Sequence, residues 1–128
     1  MSPTLLISIA LGGAIGAIGR YLVMSGAGHW LGHGFPAGTL IVNIIGSFFL
    51  GSLIEVMALV WSPGEEMRAF IVIGVLGSFT TFSAFSMDTI HLIDRGNYLV
   101  AGGYVAGSVV ASVVAFMAGM AVFRQILS

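Results

Sequence analysis

The chain has 128 residues, of which 58% are hydrophobic and only 7% are charged, whereas about a quarter of the residues in a soluble domain are charged. Its four basic residues are all arginines dispersed along the chain, so no basic cluster marks a nucleic-acid surface. Cysteine is absent, which excludes disulfides, thiolate catalysis and cysteine-based metal sites. This composition predicts an integral membrane protein.

Four apolar runs follow one another in chain order, each close to the ~20 residues that a helix needs to cross a bilayer. Lipid offers the backbone no hydrogen-bond partner, so each run predicts a transmembrane helix. The first run lacks a preceding basic segment, and we interpret it as a permanent span, not a cleaved signal. We therefore predict an all-α integral membrane protein with one domain over residues 1–128, whose spans are 4–26, 37–61, 68–93 and 98–125.

The arginines show no bias between the two sides of the predicted membrane. Arg68 and Arg124 belong to one side, and Arg20 and Arg95 belong to the other. Orientation follows an imbalance of Lys and Arg, so a balanced chain is predicted to insert both ways up. Two such copies would form an antiparallel, dual-topology homodimer with a two-fold axis in the membrane plane.

Small residues recur at helical spacing on the first and fourth runs. Residues of this kind let helix backbones approach closely in lipid, so we expect packing along both rows. The rows are Gly12 and Gly16 on the first run, and Gly103, Gly107, Ala111, Ala115 and Gly119 on the fourth.

Polar residues form two further rows at the same spacing, Thr39, Asn43 and Ser47 on the second run and Tyr104, Ser108 and Ser112 on the fourth. The amide of Asn43 cannot satisfy all its hydrogen-bonding groups locally and is costly in hydrocarbon. It is either a link between helices or a donor to a passing ion, and the sequence leaves both open. Glu55, near the end of the second run, is expected to reach interfacial water.

The segment Gly77–Phe85 lies in the middle of the third run, where glycine and threonine weaken a helix. A break at the bilayer centre would free carbonyl oxygens that suit a monovalent cation such as Na⁺, and a plain kink is the alternative. Phe82 and Phe85 share a helix face. Paired phenylalanines most often pack in a core, but the positive edge of a phenyl ring can also favour an anion.

The remaining ionisable residues give weaker signals. Arg20 and Asp88 are explained by snorkelling to the interface, although Arg20 could also draw anions to a vestibule. His29 with His33, and Asp88 with His91, lack a third metal ligand. No nucleophile and base with an orienting third group is evident, so the chain is not expected to be an enzyme.

Taken together, these motifs resemble the Fluc-type (CrcB family) fluoride channels, small proteins of the bacterial inner membrane that form antiparallel dual-topology dimers. The resemblance covers nearly the whole chain. It rests on residues 12–21, 38–43, 46–48 and 77–85, and on Tyr104, Ser108 and Ser112.

The resemblance implies passive export of fluoride, which lowers its cytoplasmic concentration, through two pores per dimer. It implies a structural Na⁺ at the dimer interface, held by the main-chain carbonyls of Gly77 and Thr80, and a vestibule supported by Arg20. Family members commonly have Thr in place of Ala84 and often Glu in place of Asp88. The pore residues that it implies are Asn43, Thr81, Phe82, Phe85, Tyr104, Ser108 and Ser112.

Two other functions are alternatives to a fluoride channel. A small dual-topology multidrug exporter needs a carboxylate deep in its first helix, and this first run has none. A non-transporting assembly subunit would tolerate leucine at Asn43, Phe82 and Phe85 without loss beyond stability.

Overall fold

A computed structural model describes residues 1–32 and 34–128, and their regular structure is entirely helical. Four stretches are long and apolar enough to cross a membrane, Pro3–Leu31, Ala37–Leu59, Glu65–Asp94 and Tyr98–Leu127. This confirms the predicted four transmembrane helices. The elements are α1 Pro3–Leu31, α2 Ala37–Leu59, α3 Glu65–Arg68, a π-helical segment Ala69–Leu76 (the π segment), α4 Gly77–Phe79, α5 Phe82–Asp94 and α6 Tyr98–Leu127.

Helix α1 has a recognisable start and stop. The Ser2 hydroxyl accepts a hydrogen bond from the Leu5 amide at 3.1 Å, and Pro3 occupies the first turn, where its missing N–H costs nothing. At the other end Gly32 takes a φ of 82°, which glycine adopts without penalty. The helix continues to Leu31, beyond residue 26 where the predicted span ends.

Two pairs of elements make the closest approaches, α2 with α6 and α1 with the π segment. A Cβ atom on Gly12 would overlap the Phe70 carbonyl, and one on Gly16 would overlap the Val75 carbonyl. Gly51 and Gly119 lie in the same way against the Phe116 and Phe48 carbonyls. The predicted role of Gly12 and Gly16 is therefore confirmed, since only glycine allows these backbone contacts.

The row of small residues on α6 packs closely on another helix at its end but not at its beginning. Gly119 packs on α2, but a Cβ atom on Gly103 or Gly107 would meet nothing within 4 Å among the described residues. The packing prediction was therefore wrong for Gly103 and Gly107 within a single chain. The reason is that a row at every fourth residue winds around a helix of 3.6 residues per turn, so Gly103 and Gly107 do not share the face of Gly119 that packs on α2.

Glu55 is buried, and the prediction that it reaches interfacial water was wrong. Its side chain is 7% exposed, and its Oε1 lies 2.6 Å from an Nη atom of Arg124 on α6. A second bond joins Arg124 Nε to Glu55 Oε2 at 3.4 Å. A carboxylate removed from water needs such a cationic partner, and the helix pair α2–α6 supplies it.

Among the described residues few side chains are fully buried, and one cluster of buried residues, Leu92, Ala101 and Tyr104, joins α5 to α6. Val42 and Leu92 are completely buried and Tyr104 is 2% exposed. Large apolar side chains elsewhere, such as Leu99 and Trp30, are exposed. Lipid tails are as apolar as leucine, so a membrane protein gains little from internal burial of such side chains.

Candidate functional site

A cleft of about 430 Å³ runs between α2, the third span and α6. Every predicted pore residue except Tyr104 lines it, as do Gly77 and Thr80, the predicted sodium ligands. Residues far apart in sequence thus meet in one place. The polar and aromatic lining residues are Asn43, Ser47, Thr80, Thr81, Phe82, Phe85, Ser108 and Ser112.

The third span is interrupted beside this cleft. Thr80 and Thr81 adopt extended backbone conformations, with ψ of 161° and 123°, between the end of α4 and the start of α5. Thr81 then acts as the N-cap of α5, since its hydroxyl accepts a hydrogen bond from the Ala84 amide at 3.1 Å. The Thr80 amide still donates to the Leu76 carbonyl at 3.2 Å, whereas the Thr81 amide has no helical partner, so the Thr81 backbone needs partners outside the helix.

Asn43 supplies those partners. Its Nδ2 donates to the Thr81 carbonyl at 3.0 Å, and its Oδ1 accepts from the Thr81 amide at 2.8 Å. The sequence left open whether this amide links helices, and the structure shows that it does. The amide nitrogen carries two hydrogens, so one donor remains on a side chain that also lines the cleft.

The α6 wall of the cleft has an unsatisfied hydroxyl. Ser108 lines the cleft, is 6% exposed, and its Oγ has no hydrogen-bond partner among the described residues. Buried polar atoms without partners are rare and costly in proteins. Ser112 lies one turn further along the same helix face and also lines the cleft.

Aromatic rings line the opposite part of the site. The Phe82 and Phe85 centroids are 5.5 Å apart, and Phe85 lies 5.3 Å from Tyr104. Phe82 is 77% exposed, so it is not part of a core within this chain. Both phenyl rings line the cleft, Phe82 largely exposed and Phe85 half-buried against Tyr104.

Asp88 joins the two predicted polar rows, a role that the sequence analysis missed. Its Oδ2 accepts hydrogen bonds from the Thr39 hydroxyl at 2.6 Å and from the Tyr104 hydroxyl at 3.1 Å. Two neighbouring helices hold this oxygen, a role that the interpretation of Asp88 as a snorkelling residue did not include. Its spacing was the available signal, because Asp88 lies three residues after Phe85 and shares its face of α5.

Other predicted residues lie away from the cleft. Arg20 is half-exposed on α1 and does not line it, although the adjacent Gly19 lies against the Phe79 ring. His29 is exposed near the end of α1, whereas its predicted partner His33 lies outside the described residues. Within residues 1–32 and 34–128, no three histidine, aspartate or glutamate side chains come together as metal ligands.

The fold and the cleft define a small multi-pass membrane protein whose polar and aromatic residues meet beside an interrupted helix. The sequence profile of the family described as CrcB-like protein, Camphor Resistance (CrcB), matches residues 7–120. The chain belongs to this family.

Curated relatives cover almost the same length. A Rhodospirillum centenum protein named Fluoride-specific ion channel FluC is 48% identical over 94% of this chain and 95% of its own. A protein of the same name from Nitrobacter winogradskyi is 46% identical over 98% of this chain and 100% of its own. A third, from Agrobacterium fabrum, is 47% identical over 92% and 94%.

Proposed function

We propose that this chain forms a fluoride-specific ion channel of the bacterial inner membrane, which exports fluoride passively and lowers its concentration in the cytoplasm. The names of its relatives support fluoride as the ion. The observation that carries the proposal is the cleft in which the unsatisfied Ser108 hydroxyl, Asn43 and Ser112 lie with two phenylalanine rings. The protein is a channel, not an enzyme.

The lining chemistry fits a small anion that must shed its water and leave again. Hydroxyl and amide hydrogens replace the donors of the hydration shell, and the positive edges of the Phe82 and Phe85 rings attract an anion without a formal charge. An arginine in the same position would hold fluoride too tightly, whereas conduction requires release. The Asp88 carboxylate receives hydrogen bonds from Thr39 and Tyr104 and so fixes the direction of both hydroxyls.

The complete channel in this proposal is an antiparallel dual-topology homodimer with two pores. The cleft is open in a single chain, as the 77% exposure of Phe82 indicates. Gly103 and Gly107 also present bare backbone with no neighbour among the described residues. A second copy in the opposite orientation would cover these surfaces, and the even distribution of arginines permits that arrangement.

A structural Na⁺ at the centre of this dimer fits the backbone of the third span. The Thr81 amide, which would otherwise bond the Gly77 carbonyl in a continued helix, donates to Asn43 instead. The Thr80 carbonyl precedes the N-cap of α5 and lies outside its helical bonding. Uncharged oxygens of this kind would hold Na⁺, which would fix the interrupted segments against each other. The interruption would then lie near the bilayer midplane.

Arg20, eleven residues before the end of α1, is the proposed vestibule residue. It forms no salt bridge among the described residues, so its charge is available to anions in water. Its half-exposed position outside the cleft suits attraction of fluoride before dehydration and not binding within the pore.

Proteoliposomes test the function directly. Vesicles loaded with potassium fluoride and treated with a potassium ionophore should release fluoride to an ion-selective electrode without a proton gradient. Vesicles loaded with chloride report the selectivity. Proton-coupled uptake of a cationic drug would instead indicate the multidrug exporter, and silence in every assay would indicate the non-transporting assembly subunit.

Two further measurements test the assembly. Reporters fused to the C-terminus should reveal both orientations in the membrane, and a single orientation would exclude dual topology. Replacement of Na⁺ by choline during purification should lower the thermal unfolding temperature of the detergent-solubilised dimer, and an unchanged temperature would argue against structural Na⁺.

A further inference from the structure

A second cavity, of about 220 Å³, lies where α1 ends and α2 begins. The end of α1, the first turn of α2 and one face of α5 enclose it. Its ionisable residues within the described chain are Asp88, His91 and Arg95. Asp88 and His91 lie at i and i+3 on one face of α5, and Arg95 is the residue that follows the end of this helix.

Tyr104 and Asp88 lie between this cavity and the main cleft. Phe35, which lines the cavity, packs edge-on against the Tyr104 ring with centroids 5.5 Å apart. Phe85, which lines the cleft, packs against the same ring at 5.3 Å. Asp88 lines the cavity and accepts the Tyr104 hydroxyl hydrogen bond. One tyrosine thus contacts the walls of both spaces.

The negative and positive charges of this cavity lie at opposite ends of it. Asp88 lies at the inner boundary, where its carboxylate would repel an approaching anion. Arg95 lies on the exposed turn after α5, and its Nε donates to the His91 carbonyl at 3.3 Å. Arg95 takes part in no salt bridge among the described residues, so the neighbouring Asp94 does not neutralise it.

We propose that this cavity is an outer mouth of the anion pathway, in which the positive charge of Arg95 offsets the repulsion from Asp88. This inference rests on the proposed channel function and adds a residue that determines how readily an anion enters. Arg95 acts from the rim and touches no ion inside the cleft. It raises the local anion concentration, which low-dielectric walls around a narrow opening reinforce.

The separation of the two charges determines how the effect should depend on salt. Seven residues of helix correspond to about 10 Å, which is close to the Debye length at 0.1 M ionic strength. An impermeant salt should therefore weaken the contribution of Arg95 as its concentration rises. A role of Arg95 in shape or folding would show no such dependence.

The test compares fluoride efflux from proteoliposomes at low and high concentrations of an impermeant salt. Arg95→Gln should reduce efflux about threefold to tenfold at low salt and much less at high salt. Arg95→Glu should reduce it further, and Arg95→Lys should retain most of it. Arg68→Gln is the matched control, because Arg68 is exposed on α3 and lines neither space, and it should match the wild type.

The possible failures are distinguishable. If the wild type releases no fluoride, the channel function itself fails. If the wild type conducts but Arg95→Gln conducts equally at low salt, or Arg95→Lys loses as much as Arg95→Gln, the role of the Arg95 charge is overturned. If Arg95→Gln does not fold, the salt dependence of the wild type still tests the proposal. Wild-type efflux that does not change with impermeant salt contradicts it.

Discussion

Asn43 on α2 bonds both backbone groups of Thr81, accepting from its amide at 2.8 Å and donating to its carbonyl at 3.0 Å. A single side chain thus replaces the bond that the Thr81 amide loses at the interruption and adds a second donor to the Thr81 carbonyl. Because lipid supplies no alternative partner, the interruption depends on this amide. The same residue lines the cleft, so structure and permeation are coupled at one position.

Substitution of Asn43 should therefore affect both the stability of the fold and the permeation of fluoride. Asn43→Ala leaves the Thr81 amide without a partner, at about 1–3 kcal/mol, and removes one donor from the Thr81 carbonyl, so it should lower both the unfolding temperature and fluoride efflux. Asn43→Asp keeps an acceptor for the Thr81 amide but loses the donor, so it should restore part of the stability and little of the efflux. Wild-type efflux in both variants would remove the amide from the pathway.

The phenylalanine rings can be tested without loss of a hydrogen bond. Phe82→Ile and Phe85→Ile keep apolar bulk but remove the ring edge, so fluoride efflux should fall at least tenfold while the protein stays folded. Phe49→Ile is the control, because Phe49 is 55% exposed on α2 and does not line the cleft. Unchanged efflux in both cleft variants would contradict ring-edge coordination.

Ser108→Ala separates permeation from stability. The hydroxyl has no partner within the described chain, so its removal should leave the unfolding temperature unchanged or slightly higher. Fluoride efflux should nevertheless fall, because a donor to the dehydrated ion is lost. Ser8→Ala is the comparison, since that hydroxyl bonds the Thr4 carbonyl on α1, away from the cleft, and efflux should not change. Equal efflux in both variants would contradict the role of Ser108.

Two glycines on α1 should respond in opposite directions to alanine. A Cβ atom on Gly12 would overlap the Phe70 carbonyl of the π segment, so Gly12→Ala should lower the unfolding temperature. Gly26 has nothing within 4 Å, and Gly26→Ala should raise helix stability by about 1 kcal/mol. Thermal unfolding in detergent measures both. Tolerance of Gly12→Ala would mean that the π segment moves away from α1.

The effects of substituting Arg124 and Glu55 on the unfolding temperature should depend on each other. Arg124→Gln leaves the buried Glu55 carboxylate without its cation and should lower the unfolding temperature. The double variant Glu55→Gln with Arg124→Gln should recover much of that loss, because a neutral amide costs less to bury than an unpaired charge. Equal destabilisation by the single and double variants would show that packing, not charge, links α2 to α6.

The sequence by itself determined the four membrane spans, because about 20 consecutive apolar residues have one stable state in lipid. It also singled out Asn43, Phe82, Phe85, Ser108 and Ser112, since polar and paired aromatic residues stand out against an apolar background. Spacing along a helix was enough to show which of them share a face.

Only the tertiary structure decided how residues on different helices meet. Spacing within one helix carries no information about the rotation of its neighbours, so the burial of Glu55 against Arg124 and the bonds from Thr39 and Tyr104 to Asp88 were not predicted. The uncovered backbone at Gly103 and Gly107 was not predicted for the same reason. Contacts of this kind depend on how helices pack against one another, and one-dimensional periodicity does not contain that information.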